Sequence, residues 1–128
     1  MEKEFVNYSE ALALKELGFD NEHCFARWST HYDGSGYLDT STHSIYQGRD
    51  DLNRQCLAPT FSQAFKFFRE NYEIHSYIER LISGAFIYKI DWFEEDRHNK
   101  IVWECKSYSF EKAELECLKK LIEIVQKR

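Results

Sequence analysis

The stretch AFIYKIDWF, residues 85–93, decides the fold class, because its apolar and polar side chains alternate with the period of a β-strand. The apolar face carries Phe86, Tyr88, Ile90 and Trp92. Lys89 and Asp91 fall on the opposite face. This alternation predicts a strand with one buried side, as in an antiparallel sheet that has one solvated face.

Two further strands are predicted beside this one. Residues 74–82 also fit a helical period, but their β-branched and aromatic side chains favour a strand, and Ser83-Gly84 indicates a two-residue hairpin turn. Downstream, a charged loop at 94–100 leads to a partner strand at 101–108. One side of that strand carries Ile101, Trp103 and Cys105. The three strands together predict an antiparallel sheet.

Three helices are predicted in addition, and we expect them to pack mainly on one face of the sheet. Each begins with a capping residue, an aromatic residue, two further residues and then Ala. The first spans about residues 9–17 after Asn7, with Glu10 completing a capping box, and it stops at Gly18. The second begins at Thr60, where Gln63 completes a box, and the third begins at Ser109. We interpret the shared pattern as common helix-start chemistry rather than as an internal repeat.

Apolar stripes predict which helix faces are buried. In the first helix, Phe19 is expected to fold back on Leu14. The second helix has the stripe Phe61, Phe65, Phe68 and Tyr72. The third has the stripe Phe110, Ala113, Cys117, Leu118, Leu121 and Val125.

Between the first two helices, the pattern changes. Residues 22–28 predict a strand, and residues 29–57 form a polar segment rich in Gly, Ser, Thr and Asp, with a turn at 33–36 and a short strand at 43–47. The predicted order is therefore helix, strand, irregular segment, helix, three strands, helix. This order indicates an α+β fold, an antiparallel sheet with three helices, in a single domain over residues 1–128.

Length and composition narrow the class of protein. The chain has 128 residues, 30% charged and 16% aromatic, so it can build a core and is not expected to be disordered. Its net charge of -5 argues against a nucleic-acid partner, which would require a basic surface. The charged start and the lack of a long apolar run predict a cytoplasmic protein with no membrane partner. We expect the four cysteines, none in a Cys-x-x-Cys pair, to be free thiols.

The polar segment 29–57 supplies the candidate site. Tyr32, Tyr37 and Tyr46 could stack a base, and Arg49 and Arg54 could pair with a phosphate. These five residues are the predicted ligand-binding residues. We predict no catalytic residue, no metal ligand and no cofactor.

Three other constellations are weaker. The set His23, Cys24, His31, His43 and Cys56 has irregular separations for zinc. The loop acids Asp33, Asp39, Asp50 and Asp51, with His31 and His43, match no catalytic spacing. From Thr60 onward, the order helix, three strands, helix resembles a double-stranded RNA-binding domain, but carboxylates flank Lys112 where that family has a lysine cluster.

A broader resemblance covers both ends and the middle of the chain. Three stretches carry it, YSEALALKELGFD at 8–20, APTFSQAF at 58–65 and ELECLKKLIEIV at 114–125. They resemble small proteins of bacteriophages and of prophages in gut bacteria, a group with no established activity. The resemblance implies a phage accessory gene, and such small acidic proteins often bind a host protein or sequester a nucleotide signal of host defence.

Three functions follow as expectations. The first is a non-catalytic phage-type accessory protein that binds a host protein. The second is a sponge that sequesters a nucleotide immune signal with residues 29–57, as an oligomer. The third is a small hydrolase that uses loop Asp and His residues. The partner is therefore a host protein or a small nucleotide-like ligand, and self-association as a homo-oligomer is left open.

Overall fold

The computed structural model describes residues 4–19, 26–30, 36–39, 56–93 and 99–128. In these ranges the elements are α1 (Tyr8–Glu16), β1 (Ala26–Thr30), β2 (Gly36–Asp39), β3 (Cys56–Ala58), α2 (Phe61–Tyr72), β4 (His75–Arg80), β5 (Phe86–Phe93), β6 (Asn99–Ser107) and α3 (Phe110–Gln126). Every strand pair among them is antiparallel. The predicted α+β class, with antiparallel pairing and three helices, is confirmed for the described residues.

The strands divide between two three-stranded sheets, β2-β1-β3 and β4-β5-β6. The chain likewise divides into two compact units, residues 1–64 and 65–128, and the boundary falls inside α2. The single domain over residues 1–128 stays a prediction.

In the first unit, β1 is the central strand and pairs with both β2 and β3. The chain before α1 pairs with the two residues that link β3 to α2. Phe5 forms a β-bridge with Thr60, and the Val6 N–H donates to the Pro59 carbonyl at 2.9 Å. Val6, Leu14 and Ala58 are fully buried. The short N-terminal segment therefore belongs to the core of this unit.

Regular structure extends into the segment 29–57, which the sequence predicts to be irregular. Thr30 pairs with Gly36, and β2 occupies residues 36–39. A four-residue strand is too short to show a clear alternation, so the sequence pattern misses it. The rest of the turn at 33–36 and the strand predicted at 43–47 lie outside the described residues.

In helix α1 the predicted C-terminal stop is present, and the predicted N-terminal capping box is absent. Asn7 occupies the N-cap position with extended backbone, but its side chain makes no capping hydrogen bond, so the predicted box at Asn7 is wrong. The Glu10 carboxylate instead accepts a hydrogen bond from the Ser9 hydroxyl at 2.7 Å. At the other end the Phe19 N–H donates to the Leu14 carbonyl at 2.9 Å, and Gly18 has φ of 95°, which confirms the predicted Schellman stop.

Helix α2 has the complete capping box that its sequence predicts. The Thr60 N–H donates to Gln63 Oε1 at 2.9 Å, and the Gln63 N–H donates to Thr60 Oγ1 at 3.2 Å. Phe68 is fully buried on the predicted stripe. After the helix, Glu73 has a positive φ of 56°, and Ile74 then donates its N–H to the Phe68 carbonyl at 3.2 Å.

In the second unit, α3 packs against the sheet and contacts all three strands. On β5, Tyr88 and Ile90 are buried, and their register partners Ile78 and Ser76 on β4 are half-buried. The buried residues of α3 are Ala113, Cys117, Leu118, Leu121, Ile122 and Val125. The core of this unit therefore lies between α3 and the side of the sheet that the alternation in residues 85–93 predicts.

The hairpin between β4 and β5 differs from its prediction by one residue. The strand predicted in 74–82 is confirmed, but it ends at Arg80. The Leu81 N–H donates to the Ala85 carbonyl at 2.7 Å, and the Gly84 N–H donates to the Leu81 carbonyl at 2.9 Å. These bonds enclose three loop residues instead of two, because Gly84, with φ of 91°, supplies the left-handed position of a three-residue loop.

The partner strand β6 begins two residues earlier than predicted, at Asn99. Its Val102 takes the register position opposite Ile90 of β5, and Trp103 takes the position opposite Lys89. The apolar residues predicted to share one side of β6 therefore do not pair with Tyr88 and Ile90. Their partners on β5 are instead Asp91 for Ile101, Lys89 for Trp103 and Ile87 for Cys105. The alternation within one strand could not reveal this offset, because register is set by the connection between strands.

Candidate functional site

The five ligand-binding residues predicted from sequence are mostly outside the described residues. Tyr37 lies in β2, where its backbone pairs with Ser29 of β1. The residues outside are Tyr32, Tyr46, Arg49 and Arg54. The site that would join these four residues to Tyr37 therefore stays a prediction.

The weaker constellations have the same outcome. Asp39 pairs in register with Arg27, and Cys56 pairs with Trp28, but their predicted partners lie outside the described ranges. Within those ranges, no group of three or more His, Cys, Asp or Glu residues could hold a metal ion. None of the helices there is long and apolar enough to cross a membrane.

The candidate functional site is an exposed apolar surface of the second unit. Among the described residues, the exposed large hydrophobic side chains are Tyr77, Leu81, Ile82, Phe93, Tyr108 and Phe110. All of them belong to residues 65–128. Large apolar groups that cluster at the surface of a folded chain are typical of interaction sites.

Strand pairing brings several of these side chains to the same end of the sheet. Phe86 pairs in register with Arg80 on one side and with Ser107 on the other. Leu81 and Tyr108 are the next residues after those two partners. We call the resulting surface the apolar end and define it as Leu81, Ile82, Phe86, Tyr108 and Phe110.

Two aromatic rings join the sheet to the helix at the apolar end. The rings of Phe86 and Phe110 meet edge to face, with centroids 5.8 Å apart and planes at 79°. Phe110 is 43% exposed, so its predicted place in the core stripe of the last helix is wrong. Phe110 is the first residue of α3, and its ring contacts Phe86 while part of it remains exposed to solvent.

Local hydrogen bonds fix the two chain segments that carry this surface. The Ser109 hydroxyl accepts a hydrogen bond from the Lys112 N–H at 3.3 Å and donates one to the Glu111 carboxylate at 3.1 Å. In the hairpin, the Ala85 N–H donates to the Ser83 hydroxyl at 3.5 Å, in addition to the bonds made by Leu81. Ile82 is thereby held fully exposed at the loop tip, and Tyr108 is 79% exposed immediately before the helix cap.

The rim of the apolar end is polar and carries both signs of charge. Arg80, Glu111 and Lys112 are exposed beside it. An apolar centre with a polar rim is the usual anatomy of a protein–protein interface. The residues of the apolar end themselves offer apolar and aromatic area and one phenol, and they include no carboxylate, imidazole or thiol that could act as an acid, a base or a nucleophile.

The buried thiol of the second unit is suited to packing rather than to chemistry. Cys117 is free and fully buried, in agreement with its predicted place on the helix stripe. Burial raises its pKa to about 12, although a hydrogen bond with Ser76 opposes the shift. Because the thiolate is the reactive form, this cysteine is inert in the folded protein.

Sequence reasoning missed the apolar end, although two signals were present. Ile82 occupies a hairpin loop, where polar residues and glycine are normally found. Tyr108 and Phe110 are aromatic residues that flank the helix-capping Ser109, one on each side. Neither signal indicates by itself that the two segments meet, since only the pairing of three strands brings them together.

Comparison with known proteins adds no relative, because no protein-family model, no curated protein and no solved structure matches this chain.

Proposed function

We propose that this protein is a non-catalytic binding protein that docks a partner protein on the apolar end. The observation that carries the proposal is that exposed Leu81, Ile82, Tyr108 and Phe110 lie at the end of the sheet where Phe86 pairs with its two neighbouring strands, and that the rings of Phe86 and Phe110 are in contact. In water this apolar area is a cost to the free protein, and a complementary apolar surface on a partner would remove it from solvent.

The composition of the surface favours a protein partner. Tyrosine and phenylalanine are enriched at the centres of protein interfaces, where one or two well-packed aromatic side chains supply most of the binding energy. Tyr108 and Phe110 are the candidates for that role, since both project from the same short segment. Exposed Arg80 and Lys112 would then contact the polar rim of the partner.

The apolar end is also held in place before binding. The hairpin is closed by backbone hydrogen bonds at Leu81 and Gly84, and α3 is fixed by its Ser109 cap. Phe110 is further held by its contact with Phe86. A pre-organised backbone loses little conformational entropy on binding, so more of the contact energy contributes to affinity.

The resemblance to bacteriophage-encoded proteins implies the source of the partner. It supports a phage accessory protein whose partner is a protein of the bacterial host. The nucleotide sponge and the hydrolase remain predictions tied to residues 29–57. No contact among the described residues favours either of them.

A binding experiment with paired variants tests the proposal. The protein would be immobilised and exposed to host lysate, and the captured protein would be identified and its Kd measured. We expect the double variant I82S/Y108S to weaken binding by roughly 100-fold, because it removes two interface side chains. Phe93→Ser is the matched control, since Phe93 is also exposed but lies at the opposite end of β5.

Equal capture by the wild type and I82S/Y108S would contradict the proposal. So would a selective loss in the Phe93→Ser control. A thermal-shift screen of the wild type with nucleotides and divalent metals tests the alternatives, because a ligand that binds the folded state raises its Tm. A clear shift with a nucleotide would favour the sponge over protein binding.

A further inference from the structure

We propose that the edge strand β4 pairs antiparallel with β4 of a second copy of this chain. The resulting two-fold dimer would join the sheets β4-β5-β6 of two copies into one six-stranded sheet. This interface lies along the edge of the sheet and does not include the apolar end. It therefore does not rest on the proposed binding function.

The first observation is that β4 is a regular strand at the edge of its sheet. In the described residues, β4 is paired on one side only, with β5. All six of its residues, from His75 to Arg80, pair in register without a bulge. An edge strand of this kind presents a row of backbone N–H and C=O groups to any strand that comes alongside.

The second observation is that β4 lacks three features that commonly protect an edge strand, and its charged residues are limited to Glu79 and Arg80 at one end. Lysine, proline and β-bulges prevent edge-to-edge pairing in many proteins, and HSYIER has neither lysine nor proline. Tyr77, at the middle of the strand, is 50% exposed. Tyrosine is a strong strand former, and an exposed one at an edge favours cross-strand contact.

The third observation is that basic and acidic side chains come opposite each other in one particular register. His75, Tyr77 and Glu79 are the exposed alternate residues of β4. When two copies pair antiparallel with Tyr77 opposite Tyr77, His75 of each copy lies opposite Glu79 of the other. The interface then contains two acid–base pairs around a central pair of aromatic rings, which is the kind of cross-strand pairing that stabilises antiparallel sheets.

Other registers lose this match. A pairing centred on Ser76 places Glu73 opposite Glu79, and a pairing centred on Ile78 places Tyr77 opposite Glu79. Glu73 also has a positive φ, so the extended backbone that is able to pair begins after it. The length of β4 and its charges therefore select the register centred on Tyr77.

Charge exchange tests the pairing directly. The dimer Kd would be measured by sedimentation velocity over a concentration series. H75E places two carboxylates opposite each other at both ends of the interface, and we expect it to weaken the dimer by roughly tenfold. E79K removes the same two pairs and weakens the dimer as well. The double variant H75E/E79K restores opposite charges, so we expect it to recover most of the wild-type affinity.

A second pair of variants separates this interface from the apolar end. Tyr77→Lys introduces an edge lysine, whereas Tyr108→Lys places the same change on the apolar end; both tyrosines are exposed, so both variants should keep the wild-type Tm. The Tm values are compared at a concentration below the dimer Kd, where self-association does not contribute to them. We expect Y77K to be monomeric and Y108K to dimerise normally. A wild-type protein that stays monomeric at millimolar concentration would overturn the proposal. Loss of the dimer in Y108K but not in Y77K would also overturn it, since the apolar end would then be the interface.

Discussion

The core of the second unit and its apolar end use the same kinds of side chain with opposite consequences. In the core, Leu118, Leu121 and Ile90 are fully buried between α3 and the sheet. At the apolar end, Ile82 and Tyr108 remain in solvent, although strand pairing and a helix cap hold them in place. The comparison shows that burial depends on where an apolar residue falls relative to the end of the sheet. Residues opposite α3 stabilise the fold, and residues beyond the last strand pairs remain available to a partner.

The largest expected difference concerns the core. Leu118→Ala removes a fully buried side chain and leaves a cavity, so we expect the free energy of unfolding to fall by about 2–5 kcal/mol. Chemical denaturation monitored by circular dichroism measures the change. A loss below about 1 kcal/mol would mean that the contact between α3 and the sheet is looser than the structure shows.

A smaller effect is expected at the border between the two regions, where Phe86 meets Phe110. Because the rings pack edge to face, a double-mutant cycle of F86L and F110L should give a coupling energy of about 1 kcal/mol. The cycle is measured by denaturation of the wild type, both single variants and the double variant. Additive single effects would show that Phe110 does not help to hold the apolar end.

The next effect depends on pH and concerns Glu114, one turn after Phe110. Burial, and secondarily the charge of Glu111, raises the pKa of Glu114 in the folded protein. A raised pKa favours the protonated folded form, so its stabilising effect is complete below the unfolded pKa. The effect is lost as pH rises through the folded pKa.

The free energy of unfolding of Glu114→Gln should therefore match that of the wild type near pH 4 and exceed it at pH 7 by about 0.3 kcal/mol. The difference is small because the carboxyl is only partly buried. Denaturation curves at both pH values test this. A variant less stable than the wild type at pH 7 would reverse the sign and contradict the proposed cause.

The smallest effect on stability is expected at the tip of the hairpin. Ile82→Ser changes a fully exposed side chain, so the free energy of unfolding should stay within about 0.5 kcal/mol of the wild type. The same substitution is part of the double variant that we expect to lose the partner. A large loss of stability would place Ile82 in the core and remove it from the apolar end.

Much of the fold could be predicted from the sequence, because its signals are local. The capping box at Thr60, the stop at Gly18 and the alternation around Tyr88 each depend on neighbouring residues, and the structure confirms them. The capping box predicted at Asn7 is absent, because the sequence permits the box but the Asn7 side chain does not make the hydrogen bond. Local patterns state what a residue is able to do, and tertiary contacts decide whether it does so.

The candidate surface could not be predicted in this way. Phe110 has the spacing of a core residue relative to Ala113 and Cys117, and helical periodicity gives its direction around the helix axis. Periodicity does not show that the sheet ends before Phe110. That information lies in the register of β5 and β6, where Phe86 pairs with Ser107 after a register shift. The ligand-binding residues predicted in segment 29–57 remain a hypothesis based on composition.

Cys117 gives the protein an internal reporter of its own opening. Its thiol is enclosed between α3 and the sheet and has a pKa of about 12, so a thiol reagent can modify it only in molecules where the helix has moved away. The labelling rate at this one position, followed by peptide mass spectrometry, therefore counts how often the second unit opens. A partner bound at the apolar end would slow that rate, because it stabilises the closed form, and occupancy could be measured without any substitution.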